Sequence, residues 1–383
     1  MGPLPVPFNR PSLVGNEVKY LRDAIRRGQL AGDGHYTRQC SARICELTGA
    51  PRAMLTHSCT AALEMAAILC NLGPGDEVIM PSFTFVSTAN AVALRGAVPV
   101  FVDIDSDTLN IDPVCVAAAV TPRTRAIFAV HYAGFPADMD ALAAIARAHD
   151  LLLVEDAAQA LGSRYKGRPC GSLGDLAAFS FHETKNIISG EGGALTVNRP
   201  EMVERAEIIR EKGTNRSRFF RGQVDKYTWV DIGSSFLPGE LIASYLYAQL
   251  EMAEMINTRR LACFERYMEA FAELETRQRL RLPRFAAEGT GNGHMFYLLL
   301  RDEADRAGFI AHMKANGIGT PFHYVPLHSA PAGKRLARSH GRLAVTDRIS
   351  ETLVRLPMFF DLGSQIENVI DHALGYFDGE AIS

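Results

Sequence analysis

Lys185 lies in a segment whose composition suits covalent chemistry. It follows an apolar, strand-like run at residues 176–180, and Gly190, Gly192 and Gly193 come shortly after it. A lysine amine can form a Schiff base with an aldehyde cofactor when burial and neighbouring charges keep part of it deprotonated. Glycines let the backbone turn sharply beside a bound ring. Taken alone, the pattern more often marks a solvated surface lysine, since the surface is the usual place of this residue type.

A carboxylate and an amide follow a second apolar run, residues 151–154. Asp156 at this strand end could simply cap a helix. It could also keep the ring nitrogen of pyridoxal phosphate protonated, so that the ring works as an electron sink. Gln159 comes three positions later, and on a helix starting after Asp156 it would share a face with that residue and could contact the ring or its phenolic oxygen.

Ser58, Cys59 and Thr60 begin a run of strong helix formers. The free N–H groups and the dipole at a helix N-terminus can bind a phosphate, with the Thr60 hydroxyl as an added donor. The alternative is that Ser58 only caps the helix, and both roles can coexist.

Phe85 follows the apolar run at residues 77–80. At the end of a strand its ring could stack on a planar cofactor. Packing in the core is the alternative, and it is the commoner role of a single aromatic residue.

These residues need a scaffold, and the sequence indicates a sheet. From residue 53 onward, short apolar runs alternate with helical stretches. Such runs joined through helices predict an α/β fold with a mostly parallel sheet covered on both faces. Ligands of these sheets bind beyond the carboxyl ends of the strands, where the residues described above lie. The candidate strands are residues 53–56, 77–80, 98–102, 126–130, 151–154, 176–180 and 194–197.

The remaining segments suggest how the chain is divided. Proline-rich residues 1–14 predict an extended arm. Helical spacing of apolar residues predicts helices at 16–27 and 36–48, a long helix at 239–260 and a further helix to about residue 277. We therefore predict three parts, an arm of residues 1–14, a large cofactor-binding domain of residues 15–255, and a smaller C-terminal α+β domain of residues 256–383.

Composition excludes several classes of function. The formal charge of −3 gives no basic excess for binding nucleic acid. The sequence shows neither a signal-peptide pattern nor a long apolar run that would indicate a membrane protein. We therefore expect a cytoplasmic protein. The seven cysteines include no Cys-x-x-Cys pair, which indicates reduced thiols rather than disulfides or a zinc site. No metal site is predicted, because Asn186 stands where the His182–Glu183 pair would need a second histidine.

Together these residues resemble the DegT/DnrJ/EryC1/StrS aminotransferases, which act on nucleotide-linked keto sugars. The resemblance covers nearly the whole chain and includes Thr60, Phe85 and Lys185. The other matching segments are residues 7–9, 73–82, 155–159, 179–182, 190–194 and 323–328.

The resemblance implies a fold-type I pyridoxal phosphate enzyme that works as a homodimer with both active sites at the subunit interface. It implies that Lys185 binds the cofactor covalently, that Asp156 pairs with the ring nitrogen, and that Phe85 stacks on the ring. Ser235 of the partner subunit would reach the phosphate, at a position where many family members have an asparagine. The other implied cofactor-binding residues are Cys59, Thr60, Gln159 and Ser180.

Segments 211–217 and 219–229 narrow the expected substrate within the family. Their basic residues could bind a pyrophosphate, because arginine suits bidentate phosphate contacts, although a solvated surface is the usual meaning of such a run. We expect Arg216, Lys226 and His328 near the substrate. The expected reaction passes the amine of glutamate to C4 of a dTDP-4-keto-6-deoxyhexose.

Two other classes share part of this pattern. A carbon–sulfur lyase or an aldolase of the same fold would keep the lysine and the aspartate but would lack the sugar-nucleotide segments. A pyridoxal-fold regulator or binding module would need an added DNA-binding or interaction segment, which we do not expect at either end of the chain.

Overall fold

The structure is a computed structural model that describes residues 5–379. Its strands are β1 (Arg52–Thr56), β2 (Glu77–Pro81), β3 (Val98–Val102), β4 (Thr124–Val130), β5 (Leu152–Asp156), β6 (Arg164–Tyr165), β7 (Arg168–Pro169), β8 (Leu176–Ser180), β9 (Gly193–Val197), β10 (Gly289–Thr290), β11 (Phe296–Leu299), β12 (Arg338–Ser339) and β13 (Leu353–Leu356). Its helices are α1 (Glu17–Arg27), α2 (His35–Thr48), α3 (Cys59–Leu69), α4 (Val86–Ala93), α5 (Pro113–Ala119), α6 (Met139–Ala148), α7 (Pro200–Arg210), α8 (Arg216–Phe220), α9 (Glu240–Glu251), α10 (Ala253–Thr276), α11 (Glu303–Ala315), α12 (Pro331–Leu336), α13 (Ala344–Thr352) and α14 (Gln365–Gly379), with a 3-10 turn at Tyr132–Gly134.

One large sheet organises the molecule, with strand order β1-β9-β8-β5-β4-β2-β3-β12. The pairs from β8 through β5, β4, β2 and β3 to β12 are parallel, whereas β9 is antiparallel to both β1 and β8. The predicted α/β class and mostly parallel sheet are therefore confirmed. Each predicted strand of this sheet overlaps an observed one.

Buried apolar side chains on both faces hold the sheet between helices. On one face, α3 packs against β8 and β9, and its Leu63 and Met65 join a core that contains Phe128 and Val154. Each fully buried side chain of this size contributes about 1.5–3 kcal/mol. On the opposite face, α5 and α6 bury Val116 and other apolar residues against the same strands.

A second core lies in the C-terminal third of the chain. There β11 and β13 form an antiparallel pair, and α10, α11 and α14 contribute Phe271, Phe309 and Phe377 to the same cluster. The N-terminal arm reaches this region, because Val6 pairs with Ile318. Residues 1–4 of the predicted arm and 380–383 of the predicted C-terminal domain lie outside the described residues.

The helical predictions need two corrections. The expected long helix at 239–260 is broken at Met252, so α9 ends at Glu251 and a continuous α10 carries the chain to Thr276. At this break the N–H of Met252 donates to the backbone carbonyl of Gln249, and the side chain of Gln249 donates to the carbonyl of Ser12. The residues after Asp156 form a turn rather than a helix.

Among residues 5–379, no helix is both long and apolar enough to cross a membrane. Every cysteine of the chain lies in this range, and all are free.

Candidate active site

Several of the predicted site residues lie at one edge of the large sheet. Strands β1, β2, β4, β5 and β8 all point the same way, because β9 is antiparallel to both of its neighbours. Their carboxyl ends therefore bring Thr60, Asp156, Ser180 and the Lys185 loop to a common edge. This is the edge at which open α/β sheets bind ligands.

Asp156 is the last residue of β5 and is only 5% exposed. Its Oδ2 accepts a hydrogen bond from Thr88 Oγ1 at 2.7 Å, and its Oδ1 accepts one from the backbone N–H of Ala158 at 3.2 Å. Burial raises the pKa of Asp156, and the two hydrogen bonds and the charge of Lys185 act against that rise. The carboxylate is thus fixed in place with a nearby cation.

Lys185 lies in a loop closed by backbone hydrogen bonds, which run from Glu183 to Gly190 and from Lys185 to His182. Gly190 has φ of +81°, a conformation that favours glycine, so the predicted need for a sharp turn is met there. Burial lowers the pKa of Lys185, and the neighbouring Cys59 and Asp156 raise it in part. A larger neutral fraction of the amine is what nucleophilic attack requires.

The first turn of α3 contains a helix cap and is where we expect the phosphate to bind. Ser58 caps the helix, since its side chain accepts the N–H of Ala61 at 3.1 Å. Thr60 Oγ1 lies 2.7 Å from Ser87 Oγ at the start of α4. Gly193 lies so close to the start of α3 that a Cβ on this residue would come within 2.3 Å of the Ser58 carbonyl carbon. The backbone of β9 can therefore approach this helix start only without a side chain.

Phe85 is 58% exposed at the N-terminus of α4, so packing in the core of the chain does not explain it. Two residues of the following helix turn make hydrogen bonds to the site, Ser87 to Thr60 and Thr88 to Asp156. Phe85 thus stands next to residues that organise the site, with its ring accessible.

Two hydrogen bonds fix the side-chain amide of Gln159, one at its oxygen and one at its nitrogen. Its Oε1 accepts the N–H of Ala133 at 2.8 Å, and its Nε2 donates to the Tyr324 hydroxyl at 3.0 Å. A shared helix face with Asp156 is not the reason for its position, because residues 157–160 form a turn. The tertiary contacts with Ala133 and Tyr324 place it instead.

A buried trio behind the site consists of His131, Glu155 and Cys170. The Glu155 carboxylate accepts N–H groups from Gly171, Leu173 and Gly174, each at 2.8 Å, and lies 2.9 Å from His131 Nε2. Through these hydrogen bonds the Glu155 carboxylate anchors the loop of residues 171–174 behind β5. The trio therefore fixes the strand that carries Asp156.

The substrate candidates fall into two groups. His328 lies at the same sheet edge, with Nδ1 2.8 Å from Ser82 Oγ and Nε2 3.2 Å from Asp347. Arg216 and Lys226 lie in an outlying segment, where Arg216 contacts Glu211 and the face of Phe220. Among the described residues, no hydrogen bond or ion pair joins this segment to Lys185 or Asp156.

Ser180 and Ser235 also differ in their surroundings. Ser180 ends β8, and the N–H of His182 lies 3.4 Å from its Oγ. Ser235 is exposed and pairs with Glu211 in an isolated bridge. The carbonyl of the next residue, Phe236, accepts the N–H of His57 at 2.9 Å.

Sequence reasoning missed Thr88 and Tyr324. Thr88 comes three residues after Phe85 in a helix start, a spacing that signals a cap rather than a contact to a distant carboxylate. Tyr324 belongs to one of the segments that carried the resemblance, yet nothing in its local sequence indicates a partner at Gln159.

The donor set fits pyridoxal phosphate. A lysine with a lowered pKa lies beside a buried carboxylate, and a helix N-terminus with a close-approach glycine lies at the same edge. The lysine suits the aldehyde of the cofactor, and the carboxylate suits its ring nitrogen. The helix N-terminus suits its phosphate.

The model of the DegT/DnrJ/EryC1/StrS aminotransferase family matches residues 11–373 of the chain. The chain belongs to this family. Pyridoxal phosphate is the cofactor of the DegT/DnrJ/EryC1/StrS family, so the predicted cofactor is confirmed, as is the fold-type I architecture.

Several solved structures of aminotransferases resemble this DegT/DnrJ/EryC1/StrS member. The aminotransferase TlmJ from Streptoalloteichus hindustanus is 31% identical with a TM-score of 0.89, and the match covers 98% of this chain and 99% of TlmJ. DesV from S. venezuelae, in complex with a ketimine intermediate, is 33% identical with a TM-score of 0.86 and covers 94% of each chain. The PMP-form of Spr1654 from Streptococcus pneumoniae, which is named a putative sugar aminotransferase, is 27% identical with a TM-score of 0.90, and the match covers 98% of this chain and 99% of Spr1654.

Proposed function

We propose that this aminotransferase moves the amino group of an amino acid to the keto group of a nucleotide-linked sugar. The observation that carries the proposal is the arrangement of Lys185, with its lowered pKa, beside the buried Asp156 at the carboxyl edge of the sheet. Family membership and the similarity to a sugar aminotransferase support the sugar as substrate.

Each residue has a separate task in the proposed mechanism. Lys185 Nζ would hold the cofactor and, once displaced by the amino donor, would accept and return the proton at the carbon that bears the amine. The Asp156 carboxylate would keep the ring nitrogen protonated, and the start of α3 with Thr60 and Ser180 would bind the phosphate. When bound, pyridoxal phosphate supplies an electron sink for the negative charge that develops at that carbon.

The proposed substrate is dTDP-4-keto-6-deoxyglucose, the donor is glutamate, and the product is dTDP-4-amino-4,6-dideoxygalactose. Support comes from residues 211–217 and 219–229, which resemble segments of the dTDP-4-amino-4,6-dideoxygalactose transaminase of enterobacterial common antigen synthesis. A cytoplasmic site of action accords with this reaction. The alternative is another nucleotide keto sugar, including a 3-keto sugar, and a less favoured one is a non-transaminase reaction on the same fold.

Arg216 and Lys226 are proposed to reach the substrate in an active site shared between two subunits. The support is their position in an outlying segment that also carries the exposed aromatic residues Phe220, Tyr227 and Trp229. Such exposed apolar groups are typical of interaction surfaces. Together they suggest that this segment, and Ser235 close after it, extends toward a partner subunit.

A product assay tests the proposal. Purified enzyme is incubated with glutamate and a panel of nucleotide 4-keto and 3-keto sugars, and products are identified by mass spectrometry. We expect an aminated 4-keto sugar with dTDP and formation of 2-oxoglutarate. No aminated product from any sugar of the panel would reject the proposed function, and a product only from another sugar would reject the specific substrate.

Variants in the basic segment, residues 211–229, test with the same assay whether this segment binds the substrate. For Lys226→Ala and Arg216→Ala we expect the apparent affinity for the nucleotide sugar to fall about tenfold or more, since a hydrogen bond to a charged group contributes about 1.5–3 kcal/mol. Cofactor loading should not change. Arg266→Ala, which removes a surface partner of Glu367, is the matched control. Unchanged affinity in both variants would show that the segment does not bind the substrate.

A further inference from the structure

A groove in the C-terminal part of the molecule is lined by arginines. It has a volume of about 390 Å³, and its lining comes from the end of α10 and the chain after it, from the end of β11 and from α13. Glu275 is the single acidic residue of this lining. None of the lining residues belongs to the candidate active site. The arginines of the groove are Arg279, Arg281, Arg284, Arg301 and Arg348.

Three of these arginines lie close enough to repel one another. Burial lowers the pKa of Arg281, and the charges of Arg284 and Arg348 lower it further, whereas Tyr297 and Asp107 raise it in part. Two positive charges thus act on a third one in the same groove. An anion placed between them would relieve this repulsion.

The nearby carboxylates compensate these charges only in part. Asp107 is shared, because it lies 3.5 Å from Arg281 and 2.9 Å from Arg284. Glu275 is 3.9 Å from Arg284 and already accepts a backbone N–H. The Arg348 side chain is exposed and makes no hydrogen bond or ion pair within the described part of the chain. The groove therefore keeps an excess of positive charge.

The three arginines are suited to different tasks. Arg281 donates from Nη1 to the carbonyl of Ser106, and its Nε and Nη2 are buried without a partner, so it adds positive potential rather than direct contacts. Arg284 is 53% exposed, and Arg348 is also exposed. These two guanidinium groups are the ones that can contact a ligand.

The floor of the groove is apolar. It is formed by four side chains that are each at most 7% exposed, those of Leu280, Leu299, Leu300 and Ile349. A concave surface with an apolar floor and a few charged groups is typical of sites for small organic molecules, and so is a volume of this size. A small inorganic anion would leave the floor unused.

We propose that this groove binds a nucleoside diphosphate, with its phosphates on Arg284 and Arg348 and its nucleoside over the apolar floor. Planar guanidinium groups suit bidentate contacts to phosphate oxygens. The formal charge of −3 for the whole chain does not favour a nucleic acid polymer as the ligand. A free nucleotide and the nucleotide part of a sugar nucleotide share the required chemistry. The inference rests on the proposed function only in the choice of dTDP as the probe.

Equilibrium dialysis of the cofactor-loaded enzyme with dTDP counts the nucleotides bound per chain. We expect two in the wild type, one in the active site and one in the groove. The double variant Arg284→Gln/Arg348→Gln should bind one, because both contacting charges are removed. Arg348→Gln alone should weaken the groove site about tenfold, as for loss of one hydrogen bond to a charged group. The affinity of the active site should not change in either variant.

Further probes test which part of the nucleotide is recognised. Pyrophosphate should bind the groove about tenfold more weakly than dTDP, because it has no nucleoside to cover the apolar floor. High salt should weaken binding, since the contacting charges are exposed. dTDP-glucose separates the two sources of the ligand. Binding equal to that of dTDP would identify the nucleotide part of a sugar nucleotide as a ligand, and weaker binding would identify the free nucleotide.

The matched control is Arg342→Gln, which replaces an exposed arginine outside the groove and should still bind two nucleotides. Two nucleotides in the double variant, with the affinities of the wild type, would overturn the proposal. Equal binding of dTDP, pyrophosphate and sulfate would also overturn it. If the double variant does not fold, Arg348→Gln decides, and an unchanged affinity there counts against the groove.

The same measurement separates this inference from the proposed function. A wild type that binds one nucleotide, which the double variant loses and Arg216→Ala retains, would count against nucleotide binding in the active site and leave the groove standing. A single nucleotide that is lost in Arg216→Ala and retained in the double variant would overturn the groove site.

Discussion

At the scale of single residues, the site depends on how Asp156 is kept ionised in a buried position. Burial alone favours the protonated carboxyl group. The Thr88 hydroxyl donates to Oδ2 at 2.7 Å and so stabilises the charged form. Replacing Thr88 should therefore change the activity, although this residue is not expected to take part in the reaction itself.

Two variants test this arrangement. Asp156→Asn should fold but lose most turnover, because an amide cannot stabilise a protonated ring nitrogen as an ion pair does. Thr88→Val keeps the shape and removes the donor, so the pKa of Asp156 should rise. The ionised form would then be lost at higher pH, and the acid limb of the kcat/KM profile should move up by about one pH unit, equivalent to about 1.4 kcal/mol.

Thr84→Val is the matched control, since the Thr84 hydroxyl lies 3.0 Å from that of Thr88 and, among the described residues, makes no hydrogen bond to the Asp156 carboxylate. Its acid limb should move less than that of Thr88→Val. Near-normal turnover in Asp156→Asn would remove Asp156 from its proposed role. An unmoved acid limb in Thr88→Val would show that this hydroxyl does not set the charge of Asp156.

At the scale of elements, Glu77 links the large sheet to the C-terminal part of the chain. It begins β2 and is 1% exposed. Its carboxylate accepts two hydrogen bonds from Arg338 of β12, at 2.9 and 2.7 Å, and further bonds from Arg123 and Thr121. These donors lower the pKa of Glu77 from 4.5 to about 2, with the hydrogen bond from Arg338 as the largest cause.

This shift predicts a pH-dependent stability. Because the pKa is lower in the folded state, the stabilisation is fully present above pH 4.5 and is lost as the pH falls toward 2. A shift of this size corresponds to roughly 3 kcal/mol of unfolding free energy. Glu77→Gln should therefore lower the denaturation midpoint at pH 7, and its difference from the wild type should shrink as the pH is lowered through this range.

Glu303→Gln, which removes an exposed ion pair with Arg306, is the control and should change the midpoint little at any pH. A Glu77→Gln difference that stays constant between pH 7 and pH 3 would mean that the charge of Glu77 does not contribute as inferred.

Some of these elements could be predicted from the sequence and others could not. Strands such as β4 and β5 are continuous apolar runs, so their positions follow from local pattern, and the carboxyl-edge rule then places Asp156 and Lys185 together. The break at Met252 was not predictable, because residues 240–260 contain neither a glycine nor a proline that would signal the end of a helix.

At the scale of the whole molecule, the segment from α8 to Phe236 leaves apolar groups uncovered. Trp229, the single tryptophan of the chain, is 78% exposed, and Phe220 is 69% exposed. Large aromatic side chains at the surface are typical of protein interfaces. A second copy of the chain covering this surface would also explain why Ser235 lies exposed near the end of the same segment.

Hybrid dimers test whether the active sites are shared. Lys185→Ala removes the reactive amine, and Ser235→Tyr places a bulky group where the partner's phosphate contact is proposed; each variant alone should be inactive. If Ser235 acts across the interface, a hybrid dimer has one site with both changes and one site with neither. Equal mixing with free exchange should then restore about one quarter of the wild-type activity, as two-fold symmetry requires. Subunit exchange is followed by Trp229 fluorescence with a labelled partner. Complete exchange without recovered activity, with both parents inactive, would show that Ser235 serves the site of its own chain.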